Sequence, residues 1–264
     1  MTLEARDLAI GFGERRVGSS LAFTLAPGEV ACLLGPNGSG KTTLLRTLLG
    51  VLPPLEGSVT LDARPLAAWT PRERAKRLAY VPQATASDFD FSVIEIVEMG
   101  RTPMRGFFNP VGVRDRTAAL ACLERLGIAH LAERPVNRVS GGERQLAYIA
   151  RALATDATHL LMDEPTANLD FANQALILDE IARLGSSGTC VLFTTHHPDH
   201  ALRVAHRALL LRGGSLLAAG PAAATINSEN LSALYGRDVE VAEVSSLSGR
   251  VGRVCIVRES PGFD

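Results

Sequence analysis

The chain has 264 residues, 46% of them apolar, and a formal net charge of −1, which makes it globular and long enough for one large domain or two small ones. Near-neutral charge leaves no broad basic footprint for nucleic acid and disfavours duplex binding. The start, Met1-Thr-Leu-Glu-Ala-Arg-Asp7, carries charges where a secretory signal needs an apolar core, and no window supplies the roughly 18 uninterrupted apolar residues of a membrane span. If the chain serves transport, another polypeptide provides the pathway. Cys32, Cys122, Cys190 and Cys255 are far apart and form no C-x-x-C pair. They suggest neither a disulfide framework nor a zinc site, and read as small buried hydrophobes in a reducing compartment.

In chain order, Leu3 to Ile10 and Leu21 to Leu25 read as strands, the second closed by the turn signal Pro27-Gly28. Val30 to Leu34 is a short apolar run that predicts a buried strand. It feeds Gly35-Pro36-Asn37-Gly38-Ser39-Gly40-Lys41-Thr42-Thr43, which fits the phosphate-loop spacing G-x-x-x-x-G-K-[ST]. Glycines let backbone N–H groups turn toward phosphate oxygens, and a helix opening at Thr42 adds the positive end of its dipole. Lys41 then supplies a compact charge for the β- and γ-phosphates, and the Thr42 hydroxyl an oxygen for Mg²⁺. The plain alternative is a glycine-rich turn with an incidental lysine, but the strand before and the apolar helix Leu44 to Leu49 after argue against it.

Pro53-Pro54 and Gly57 break the chain, Ser58 to Leu61 can form a short strand, and Thr70-Pro71-Arg-Glu matches a capped helix start. Such alternation suggests an α/β protein. From about Ser92 the pattern turns helical, through Val93 to Val97 and then Asp115 to Leu126, ending at Gly127. Val139-Ser140-Gly141-Gly142-Glu143 opens a helix running to Thr155, with Leu146, Ile149, Ala150 and Leu153 on one apolar face. Ser140 is a natural N-cap, yet a cap alone does not require two glycines after it. The turn is therefore either a plain capped helix or a second phosphate-binding surface.

Leu160 to Met162 and Val191 to Thr194 are short apolar strands separated by the helical Ala172 to Leu184, the pattern of a parallel α/β sheet. Asp163 and Glu164 follow the first of them. Beside a phosphate loop, Asp163 can orient Mg²⁺ through its water shell, and Glu164 can reach the water that attacks the γ-phosphate; on their own they would be solvated acids at a strand end. His196-His197-Pro198-Asp199-His200 follows the second strand. It can be a metal group, a solvated polar loop or a phosphate sensor, although Pro198 interrupts the helical spacing that would align His196 with His200. His130, His159 and His206 read as structural or surface residues. From about Asn227 the chain has mixed strand character.

Phosphate loop, Gln83, the Ser140-Gly-Gly-Glu143 run, Asp163-Glu164, Asn168-Leu-Asp170 and His196 occur in the order of an ABC-type ATPase. Over about residues 3 to 220 the chain resembles that family. The resemblance implies an ABC-type P-loop ATPase domain with a mainly parallel core sheet, an antiparallel β part and a helical subdomain. It places the ATPase domain at about 1–226, the helical subdomain at about 86–155, and a tail at 227–264 packed on the same domain. ATP and Mg²⁺ are the implied ligands. Ser39, Gly40, Lys41, Thr42 and Thr43 correspond to phosphate and Mg²⁺ contacts, Gln83 to a residue near the metal and the transporter contact, Glu164 to the general base and His196 to a switch touching the γ-phosphate. Phe12 falls where the family stacks a ring on adenine, although an ordinary half-buried aromatic would look the same. The implied partners are a second copy in head-to-tail pairing, integral membrane permease subunits and, through them, a periplasmic or surface solute-binding protein, with the chain on the cytoplasmic face of the cell membrane.

Phe91-Ser-Val-Ile-Glu-Ile-Val-Glu-Met99-Gly-Arg-Thr-Pro103 resembles the ATPases of importers for iron-siderophores, haem and cobalamin, and periodicity alone reads it as an amphipathic helix and loop. Leu169 to Gln174, Phe193 to Pro198 and Ser228 to Leu231 look like the molybdate and tungstate branch of that class. A soluble ABC ATPase acting on DNA or ribosomes is the competing reading. The long coiled-coil insertion or second cassette that such proteins carry does not occur in this sequence. A generic phosphate-loop switch would leave the Ser140 run and His196 unexplained.

Overall fold

The computed structural model describes residues 2–83, 90–105, 109–245 and 251–258. The chain opens with β1 (Leu3–Phe12), β2 (Arg15–Leu25), β3 (Val30–Leu34), α1 (Lys41–Leu48), β4 (Glu56–Leu61), β5 (Arg64–Pro65), α2 (Pro71–Ala75) and β6 (Leu78–Val81). A helical stretch follows, with α3 (Val93–Glu98), α4 (Thr102–Arg105), α5 (Val113–Arg125) and α6 (Gly141–Leu153). The α/β pattern resumes through β7 (His159–Met162), α7 (Phe171–Ser186), β8 (Cys190–Thr195), α8 (Pro198–Val204), β9 (Arg207–Arg212) and β10 (Ser215–Pro221). The chain then runs through α9 (Ala222–Thr225), α10 (Ser228–Tyr235), β11 (Val239–Ser245) and β12 (Val251–Val257).

Six strands form the central sheet in the order β10-β9-β3-β8-β7-β6. The pairings β9–β3, β3–β8, β8–β7 and β7–β6 are parallel and only β10 runs antiparallel, beside β9. A parallel sheet must be covered on both faces, which is why β3, β7 and β8 are buried along their whole length. The two-residue period of a strand then splits each between two cores. Val30, Cys32 and Leu34 point into one with α3, α5, α6 and α7, whereas Ala31 and Leu33 point into the other with Leu44, Leu45 and Leu48 of α1. Helices α3, α5 and α6 thus share one continuous core with the sheet.

A second sheet, β2-β1-β4-β5, is wholly antiparallel and caps the α1 side. It touches the central sheet backbone to backbone: Ser19 N donates to Gly214 O at 3.0 Å, and a Cβ at Gly214 would lie 2.0 Å from Val17 O. At Gly18 a Cβ would come within 2.4 Å of Gly214 O. Strands β11 and β12 form a separate hairpin.

Sequence reading assigns no strand to β6, β9 or β10, and it ends β1 early and starts β2 late. The register of β1 and β2 slips in three places, so apolar alternation breaks where the hairpin continues. For β9 and β10 a signal exists: an apolar run of four residues, Ala208 to Leu211, precedes Gly213-Gly214, a two-glycine hairpin turn. The helix expected to reach Thr155 ends at Leu153. Cys32 and Cys190 are buried as expected, whereas Cys122 and Cys255 are only half-buried.

Candidate functional site

The strand order β3-β8-β7-β6 brings four strand ends side by side, and each is followed by a segment rich in polar groups. Ligands of open α/β sheets bind outside these carboxyl ends. After β3 comes Gly35 to Gly40, after β8 His196-His197, after β7 Asp163-Glu164, and after β6 Pro82-Gln83. Together they line a cleft of about 560 Å³ that includes Asn37, Lys41, Thr42, Gln83, Glu164 and His196.

Lys41 is the first residue of α1 and only 6% exposed. Its Nζ donates to Gly35 O at 2.7 Å and Pro36 O at 3.1 Å, and lies 3.5 Å from Glu164 Oε1. Two carbonyls and one carboxylate thus surround the Lys41 ammonium at the cleft floor. Ser39 Oγ is buried with no hydrogen-bond partner among the described residues. An orphaned hydroxyl is costly unless something outside the chain completes it.

Asp163 is 3% exposed and accepts from two hydroxyls, Thr42 Oγ1 at 2.7 Å and Thr194 Oγ1 at 2.8 Å. The Thr194 oxygen also accepts from Glu164 N at 2.8 Å, which ties β8 to the turn after β7. Glu164 sits in the left-handed region, φ 46°. Strain of this kind costs of order 1–3 kcal/mol and persists where the surroundings enforce it. Its Oε2 lies 2.8 Å from His196 Nδ1, so one carboxylate is shared between Lys41 and His196.

Beyond His196, His200 Nδ1 meets Thr166 Oγ1 at 3.2 Å, and Asp199 Oδ1 accepts from Cys255 N at 2.9 Å. Burial, with the neighbouring His197 ring adding to it, pulls the His200 imidazole down to about 4, and burial also lowers His197. The His200 and Asp199 side chains are thus spent on the protein itself. No group of three or more His, Cys, Asp or Glu suited to a metal occurs among the described residues. Pro198 is the first residue of α8 and starts a helix. His159 is buried with Nδ1 3.0 Å from Thr158 Oγ1, and His206 Nδ1 accepts from Val30 N at 3.0 Å, both structural positions.

The Ser140 turn is not part of this cleft. Ser140 Oγ accepts from Glu143 N at 3.2 Å while Glu143 Oε2 accepts from Ser140 N at 2.8 Å, a reciprocal cap on α6. Hydrogen bonding from the Ser140 backbone N–H, with the Ser140 hydroxyl adding to it, holds the Glu143 carboxyl below its ordinary range. Among the described residues, a Cβ on Gly141 would find beyond its chain neighbours and its own helix backbone only the far end of Arg144, 3.9 Å away. Asp170 likewise caps α7, with Oδ1 accepting from Asn173 N at 2.8 Å. Phe12 is 46% exposed at the end of β1, and it is Val17 of β2 that lines the cleft. Sequence reading missed Thr194, Thr166 and Gln174, since a lone hydroxyl or amide has no spacing to betray it.

A family model described as ABC transporter matches residues 19–167. The chain belongs to the ABC transporter ATP-binding family. It is 39% identical over 250 residues to the hemin import ATP-binding protein HmuV of Myxococcus xanthus, with 92% of this chain and 93% of that protein covered. The iron(3+)-hydroxamate import ATP-binding protein FhuC of Bacillus subtilis is 34% identical over 241 residues, covering 91% and 90%. Among solved structures, a chain of an inward-facing metal-chelate type ABC transporter superposes with TM-score 0.86 at 31% identity, covering 98% of both chains. A bacterial ABC transporter cassette solved as a dimer gives 0.74 at 26% identity, covering 83% of this chain and 98% of that one. The cleft is accordingly that of an ATP-binding subunit, an ATPase whose hydrolysis is coupled to transport. No helix among the described residues is long and apolar enough to cross a membrane.

Proposed function

We propose that this ATPase drives a binding-protein-dependent importer of a metal chelate, with Glu164 as general base and His196 as the switch beside it. The observation that carries the reading is the single Glu164 carboxylate, 3.5 Å from Lys41 Nζ and 2.8 Å from His196 Nδ1 at the mouth of the phosphate loop. The orphaned Ser39 hydroxyl and the backbone cradle from Gly35 to Gly40 fit a polyphosphate; the Thr42 hydroxyl beside Asp163 fits an octahedral Mg²⁺. Bound there, Mg²⁺ would neutralise charge on the phosphate oxygens.

The chain's own groups do the rest. Lys41 exchanges its two carbonyl partners for phosphate oxygens, and Gly35, Pro36, Asn37, Gly38, Gly40 and Thr43 shape the cradle. Asp163 holds the Thr42 hydroxyl in place, and Gln83 reaches the metal side of the cleft. Glu164 orients a water and accepts its proton, while His196 steadies that carboxylate and contacts the terminal phosphate. Ser140, Gly141, Gly142 and Glu143 lie outside their own cleft, so we assign them, with Asp170, to the ATP held by a second copy in a head-to-tail dimer. Phe12 stacks on adenine. Residues 86–155 form the helical subdomain that meets the permease, of which 86–89 and 106–108 lie outside the described residues, and the tail 227–264, of which 246–250 and 259–264 lie outside them, packs on the ATPase domain 1–226. The subunit works at the cytoplasmic face of the membrane, where two copies couple ATP turnover to two permease halves served by a solute-binding protein.

For the cargo, hemin and iron(3+)-hydroxamate are what the relatives are named for, and molybdate is the reading favoured by Leu169 to Gln174. The test is ATP hydrolysis by the reconstituted complex with binding protein loaded in turn with hemin, a ferric hydroxamate or molybdate. Stimulation by one cargo names it; hydrolysis indifferent to permease and to every cargo would overturn the importer reading.

A further inference from the structure

His196 is held at its ring by Glu164, and at its backbone by a residue from far along the chain. Tyr235, the last residue of α10, donates its phenol hydrogen to His196 O at 2.9 Å. That carbonyl lies just beyond the ladder between β3 and β8, which ends with Leu34 opposite Thr195. A strand-end carbonyl normally turns to water or a loop. A second bond from the tail lands three residues on, where Asp199 Oδ1 accepts from Cys255 N of β12 at 2.9 Å. The segment 196–199 is therefore gripped at both ends by residues beyond 226.

The grip is anchored. Leu231, Leu234 and Val239 are buried in the main core, and the half-buried Tyr235, Val241 and Cys255 pack against it. The turn from α10 into β11 is fixed by Ser232 Oγ, which accepts from Val239 N at 2.9 Å, and Ser228 Oγ accepts from Val241 N at 2.9 Å. Burial also raises the Tyr235 phenol above its ordinary value, which keeps the hydroxyl a donor throughout the physiological range.

We propose that the C-terminal segment is a brace for the switch histidine, with Tyr235 as its positioning residue. The phenol fixes the height of the His196 backbone at the end of β8, and through it the reach of the ring toward Glu164. The proposal rests on His196 acting at the cleft, and its experiment separates the two claims. Tyr235→Phe keeps the ring's packing and removes one hydroxyl. In the intact transporter complex, kcat for ATP should fall about three- to tenfold, the scale of one lost hydrogen bond, with KM for ATP unchanged and Tm lowered by no more than about 5 °C. In a His196→Ala background the same substitution should change nothing further. The His196 ring resonances in isotope-labelled protein should move in Tyr235→Phe with no nucleotide present. Unchanged kcat and ring resonances in Tyr235→Phe, or an equal loss in both backgrounds, would overturn the brace; full activity in His196→Ala alone would overturn the switch assignment instead.

Discussion

The phosphate loop and the Ser140 turn are both glycine-rich openings of a helix, and they meet opposite surroundings. At the loop the charged groups and the Thr42 hydroxyl have addresses inside the chain, Lys41 on Gly35 and Pro36, Thr42 on Asp163, Glu164 on His196, and the buried Ser39 hydroxyl is left for a ligand. A Cβ on Gly35 would sit 2.3 Å from Leu211 O, so the fold itself demands glycine there. At the Ser140 turn the bonds are local, the residues stand at the surface, and Gly141 has open space beside it. A glycine that its own chain does not require is explained by a ligand or partner that approaches it. On the function proposed above, the first surface takes its ligand within the subunit and the second is completed by another copy.

Substitutions can break that contrast. Glu164→Gln has the largest expected effect, a loss of turnover of about a hundredfold or more with ATP still bound, measured as steady-state hydrolysis against nucleotide retention in the purified complex. Normal turnover would remove Glu164 from its role. Lys41→Ala should weaken ATP binding itself by about tenfold or more, the scale of a charge-assisted contact, in a titration with a fluorescent nucleotide. Next comes the paired test of the glycines. Gly35→Ala should cost about 2 kcal/mol or more of stability through overpacking, whereas Gly141→Ala should leave the Tm of the isolated subunit unchanged and lower hydrolysis by the assembled complex at least about tenfold. Equal destabilisation by both would erase the distinction between the two turns.

The smallest effect is one of pH. Burial pulls the folded His200 pKa to about 4, below the roughly 6.5 of an unfolded histidine. Between those values the unfolded chain binds more protons, so the contribution is full above about pH 6.5 and fades as pH falls toward 4. The Glu143 carboxyl is held below its ordinary range by the Ser140 cap, so that cap keeps its contribution until the pH falls through the carboxylate range. Unfolding midpoints should therefore fall as the pH drops from about 6.5 toward 4, before the cap at Ser140 is lost, and His200→Asn should flatten the slope. An unchanged slope in that variant would place the titration elsewhere.

How much of this was legible in the sequence follows the same division. Strand, phosphate loop and helix were readable at Val30 to Leu49 because apolar run, glycine spacing and helical period fall in unbroken succession. The position of Asp163-Glu164 and His196 after strands was readable because an apolar run precedes each, while the roles expected of them came from the family resemblance. Thr194 was not: it sits inside β8 as one more β-branched residue, and only the pairing of β7 with β8 brings its hydroxyl to Asp163. Tyr235 was hidden for a similar reason, since 39 residues separate it from His196 and nothing local marks its phenol. Contacts fixed by spacing could be read, and contacts made by sheet topology had to be seen.

The backbone weld between Gly18 and Gly214 has a consequence for how variation in such subunits is interpreted. Neither residue approaches the chemistry, yet a methyl group at either would pry the two sheets apart beside the nucleotide cleft. In a collection of functional variants both positions would show as little tolerance as Lys41. Ranking residues by intolerance would then place a seam among the catalysts, and only stability measured apart from turnover would tell them apart.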